Sequence, residues 1–112
     1  MRYATFDIVV VPFPDSDRLA EKRRPALVVS APTLEDVLER LWVAMITSDR
    51  GQHILGDTPI SDLVTAGLSS PSIVRASKLA TVETDRVLRR AGGLSAADQE
   101  MVTRRLRGFA GF

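Results

Sequence analysis

A small antiparallel β-barrel carrying one packed helix is the fold this sequence predicts. Short segments rich in β-branched residues follow one another at close spacing, as small barrels require. One amphipathic stretch near the C-terminal end supplies the helix. With 112 residues, 45% hydrophobic and 26% charged, the chain suits one domain, residues 1–112, and no repeat or low-complexity run divides it.

The first strand is Phe6-Asp-Ile-Val-Val-Val-Pro-Phe, stopped by Pro12 and Pro14. Residues 15–24 are polar, without apolar period, and read as a loop. Pro25-Ala-Leu-Val-Val-Ser is the second strand, with Pro25 tolerable only at its start because it brings no N–H to a ladder. Thr33-Leu-Glu-Asp then opens like a capping box, and Leu34, Val37, Leu38 and Leu41 recur at helical spacing. The third strand, Leu41-Trp-Val-Ala-Met-Ile-Thr-Ser, is apolar at successive positions, so both its faces should be covered. In a domain with one core, the second covered face suggests a subunit interface. Trp42 and Phe13 are expected in the core rather than on a base-stacking surface.

Asp49-Arg-Gly-Gln is a turn, and residues 54–60 form a weaker strand. Ser61 is a candidate N-cap and Gly67 a stop for one or two helical turns. Ser72-Ile-Val-Arg and Leu79-Ala-Thr-Val make two further strands. In the terminal helix Ser95 and Asp98 form a capping box, and arginines gather late, as the helix dipole prefers. Met101, Val102, Leu106 and Phe109 give it one apolar face.

Several chemistries are excluded. With no cysteine there is no disulfide, thiolate metal site or cysteine nucleophile. His53 is the one histidine, which rules out a multi-histidine metal site, and no Gly-rich phosphate loop is present. The apolar runs fall far short of the ~20 residues a bilayer demands, and the N-terminus lacks a signal-peptide core, so a soluble cytoplasmic protein is expected. The net charge of +1 conceals an asymmetry: residues 1–74 hold 7 basic and 10 acidic side chains, residues 75–112 hold 8 and 4. A basic region suits a polyanion, although a solvated helix end would look the same.

Asp7-Ile-Val-Val-Val-Pro-Phe-Pro, then Lys22-Arg-Arg-Pro-Ala-Leu-Val-Val-Ser, resembles the opening of the MazF/PemK toxins: a strand, a loop, and Arg-Pro entering a second strand. Val43-Ala-Met-Ile-Thr-Ser resembles that family's third strand, Gly56-Asp-Thr-Pro-Ile through Pro71-Ser-Ile-Val-Arg its middle, and Lys78-Leu-Ala-Thr-Val with the terminal helix its end. The resemblance covers nearly the whole chain. It implies an SH3-like barrel, a homodimer, an antitoxin partner, and a ribonuclease that cuts single-stranded mRNA with no metal or cofactor.

By position the resemblance makes Arg24 and Thr47 catalytic. Glu21 is the nearest acid in the first loop, which lacks the Gly-Ser-Glu run of some members; the base is Glu21, His53 or simply water. Arg23, Ser48, Arg50, Arg75 and Lys78 are expected to contact RNA. Phe6 departs from the glycine usual before the first strand's Asp. The chemistry is sound for RNA: a 2′-OH attacks the adjacent phosphate if a planar guanidinium and a hydroxyl hold the charge that develops. Because arginine stays protonated, Arg24 suits charge stabilisation rather than base duty. Two alternatives stand beside this reading: a CcdB-like gyrase binder, and a degenerate member kept for binding. Neither needs Arg24-Pro25 with Thr47.

Overall fold

The structure, a computed structural model, describes residues 2–14 and 21–112, with Pro14 and Glu21 by backbone alone. The chain runs β1 (Asp7–Pro14), β2 (Glu21–Val28), α1 (Pro32–Leu38), β3 (Arg40–Ser48), β4 (Asp57–Pro59), α2 (Leu63–Ala66), β5 (Ser72–Glu83), a 3-10 turn at Thr84–Arg86, β6 (Arg89–Gly93) and α3 (Ala96–Phe109). The strands form one antiparallel sheet in the order β4-β5-β3-β2-β1-β6. The antiparallel β fold with a C-terminal helix is as the sequence predicts. No helix among the described residues is long and apolar enough to cross a membrane.

Both faces of β3 are covered, but by the chain itself. Val43 and Met45 join one apolar cluster with Val9, Val11 and Val28; Ala44 and Ile46 join another with Ile8, Leu27 and Val74. The sheet buries apolar side chains on its two sides, so the unbroken apolar run needs no subunit interface to explain it. Trp42, expected in the core, is half exposed, and Phe13 is partly buried.

The two strands expected after residue 71 are one strand of 12 residues. A bulge separates its halves: one step on β3, Met45 to Ala44, spans Arg75 to Leu79 on β5, leaving Ala76, Ser77 and Lys78 extra. Such a bulge bends and twists the strand, and before it β5 pairs with β4 as well as β3. The expected weak strand shrinks to Asp57–Pro59. The sixth strand, Arg-Arg-Ala-Gly-Gly, has little β propensity; it is held by pairing with β1 and by tight packing on α2, where a Cβ at Gly92 would strike the backbone of Thr65 and Ala66.

The helices start where polar groups find partners. α1 begins at Pro32 after Ala31, so Thr33 is no cap, and Val37 and Leu38 face solvent rather than the core. Glu35 is its buried residue, with Oε1 accepting the Tyr3 N–H at 2.7 Å. Asp62, not Ser61, caps α2 by accepting from the Thr65 N–H at 3.0 Å. Ser61 instead donates its N–H and hydroxyl to the buried Asp98 carboxylate, at 2.8 and 3.0 Å. Ser95 caps α3 as expected, and Val102 is buried beneath it. Asp98 does not complete a capping box; it ties α3 to the entry of α2.

Candidate active site

β2 and β3 pair as far as Ala26 opposite Met45. Carried two residues further, the register sets Arg24 level with Thr47, and opposed residues of an antiparallel pair point to the same side. Beyond that last pair the two strands part around a cleft of about 300 Å³. Arg23, Arg24, Thr47 and Ser48 line it, and the segment 68–72 closes its far wall. Arg24 and Thr47 are both partly buried, while Ser48 and Arg23 are exposed.

Local chemistry fixes this frame. Pro25 follows Arg24 and biases it toward extended backbone, and β1 pairs with it through Val11. The wall opposite is set by Gly67, which ends α2 with φ 74° and N–H bonds to the Leu63 and Val64 carbonyls. Only glycine fits there, since a Cβ would overlap the Ala91 carbonyl. The Asp49 N–H then bonds the Pro71 carbonyl at 3.0 Å, fastening the end of β3 to the same wall.

His53 does not line the cleft; its Nε2 lies 2.9 Å from Oδ1 of Asp49, the residue after cleft-lining Ser48. The Gly51 N–H, and then His53, hold the Asp49 carboxyl below the usual carboxylate range, so it stays anionic. Glu21 begins β2, but its side chain lies outside the described residues.

Other expected RNA contacts lie elsewhere. Arg75 faces Asp57 across β4 and β5, and its fork donates from Nε at 3.0 Å and from Nη2 at 2.8 Å. That pairing holds the Asp57 carboxyl below its ordinary range and raises the arginine further. Lys78 is exposed in the β5 bulge and Arg50 in the turn after β3; neither lines the cleft. Sequence reasoning missed the wall at 68–72. Gly67 was its one signal, read only as a helix stop. Among the described residues no three His, Asp or Glu side chains converge as a metal site would require.

Residues 4–109 match the sequence profile of the PemK-like, MazF-like toxins of type II toxin-antitoxin systems. The chain belongs to this family. Solved structures place the MazF-like chain in the same fold: MazF of Deinococcus radiodurans superposes with TM-score 0.78 at 19% identity, covering 100% of this chain and 99% of that one. Toxin MazF-mt6 of Mycobacterium tuberculosis gives 0.73 at 22% identity, over 91% and 93% of the two chains. An endoribonuclease from a mycobacterial species, solved with its cognate antitoxin, gives 0.74 at 18% identity, over 96% and 97%. No curated protein sequence matches significantly. The MazF-like chain thus carries its Arg-Pro and its third-strand threonine into one cleft on a toxin fold.

Proposed function

We propose that this chain is an endoribonuclease toxin that cuts single-stranded RNA at the cleft between β2 and β3. The observation that carries the reading is that Arg24 and Thr47, 23 positions apart in sequence, line the same cleft. In the reaction, the 2′-oxygen bonds to the adjacent phosphorus and the bond to the 5′-oxygen breaks. The products are a 2′,3′-cyclic phosphate and a 5′-hydroxyl. Arg24 holds two phosphate oxygens in its fork, and the Thr47 hydroxyl donates to the charge that builds on the phosphorane. His53, oriented by Asp49, takes the proton of the attacking 2′-OH, and solvent returns one to the departing 5′-oxygen.

Single-stranded RNA fits because its 2′-OH is free to align and its bases can be held open. The chemistry needs no metal, since guanidinium and hydroxyl replace the charge a metal would supply. The neighbour solved with its antitoxin supports a small antitoxin protein as partner; the active form is a cytoplasmic homodimer. The test incubates the purified protein with RNA in excess EDTA beside Arg24→Ala. Wild type should cut and leave cyclic-phosphate ends, while the variant should not. Intact RNA with wild type, or equal cutting by both, ends the enzymatic reading.

A further inference from the structure

A second cleft of about 360 Å³ adjoins the first and shares Arg23, Pro25, Leu68 and Ser69 with it, so the two form one groove. The strand rows explain its lining. Val10 of β1 pairs with Pro25 on one side and Arg89 on the other, and Pro12 pairs with Arg23. Paired residues share a face, and so do residues two apart along a strand. Arg23 and Arg89 therefore stand on one face, with the apolar side chains of Val10 and Pro25 between them. Leu68 and the half-exposed Leu88 complete the walls.

Among the described residues no carboxylate holds either guanidinium, whereas neighbouring Arg90 pairs with Asp7 at 3.0 Å. Two guanidinia at the rim of an apolar hollow, neither held by a described carboxylate, suit a nucleotide: an anion for the cations, a base for the floor.

We infer that this second cleft binds the nucleotide next to the scissile one, its phosphate between Arg23 and Arg89 and its base against Leu68 and Leu88. The inference rests on the ribonuclease reading for the identity of the strand. It makes Arg89, which no motif singles out, a substrate-binding residue, and makes Leu88 a determinant of which base is accepted.

The test measures binding of a short random-sequence RNA with 2′-O-methyl sugars, which cannot be cut, by fluorescence anisotropy across salt concentrations. Arg89→Ala should weaken binding about tenfold, as loss of a charge-assisted hydrogen bond does. It should also flatten the logarithmic salt slope by about 0.7, the value for one lost phosphate contact to a single strand. Arg105→Ala, an exposed arginine on α3, should change neither. Binding and slope equal to wild type in Arg89→Ala would overturn the inference even while wild type cuts ordinary RNA. If wild type binds but does not cut, and Arg89→Ala still binds more weakly, the nuclease reading falls and the subsite stands. No binding by wild type overturns both.

Discussion

Arg75 and Asp57 lie opposite each other on β5 and β4 and are joined by two hydrogen bonds through the arginine's fork. The carboxylate is almost wholly enclosed while the guanidinium keeps 26% of its surface in solvent. The pair secures the three-residue β4, a strand too short to hold by its ladder alone.

Removing Asp57 should therefore destabilise the fold. Asp57→Ala is expected to cost about 2–3 kcal/mol, below the usual range for breaking a buried pair because Arg75 is partly solvated. The folded-state pKa of Asp57 lies below its unfolded value, so its contribution is complete above the ordinary carboxylate range. It fades as pH falls below about 4, through the folded value. Urea unfolding at neutral and acid pH checks this: the gap between wild type and variant should narrow in acid. A gap independent of pH would refute the ion-pair account.

Gly67 should be irreplaceable. Its left-handed backbone costs about 1–2 kcal/mol for any other L-residue, and a Cβ there also overlaps the Ala91 carbonyl. Gly67→Ala should lower the urea midpoint and, by shifting the wall at 68–72, slow RNA cleavage more than it slows that of Gly108→Ala, where the added methyl meets open space. Equal behaviour of the two variants would show that the wall does not depend on this close approach.

Much of this was legible in the residues, and the failures have physical causes. Periodicity found β1, β2, β3 and α3 because their apolar positions decide their burial. It missed β6, whose arginines and glycines form a strand only because β1 offers an edge and α2 presses on Gly92. It split β5, since the bulge at Ala76–Lys78 interrupts the pattern without ending the strand. Ser61 and Asp98 each read as local caps in the sequence, whereas they bond across 37 residues. Arg24 and Thr47 were found only through family resemblance; strand register alone explains why they meet. Nothing local distinguished Arg89 from Arg90, whose difference is that Asp7 holds one of them.

Geometry, beyond charge, should matter at the cleft. Arg24→Lys keeps the charge but loses the fork, and Thr47→Val keeps the shape but loses the hydroxyl. Each should reduce single-turnover cleavage about 10²-fold, the scale of one lost oxyanion donor, with little change in the unfolding midpoint. Thr47→Ser should restore most of the rate. Full activity in Thr47→Val would leave Arg24 to act without it.

The proton acceptor is the remaining assignment. His53 is held by Asp49, an anion kept so by the Gly51 N–H; Asp49 follows cleft-lining Ser48, and its own N–H bonds the Pro71 carbonyl of the cleft wall. His53→Ala should slow cleavage by about 10²-fold, the lower end of general-base contributions. Asp49→Asn should slow it less, because the imidazole survives but loses its orienting anion. Glu21→Gln should leave the rate unchanged. The reverse pattern, a loss in Glu21→Gln with His53→Ala as fast as wild type, would move the base to the start of β2. Measuring all three variants by single turnover keeps RNA affinity from masking the chemical step.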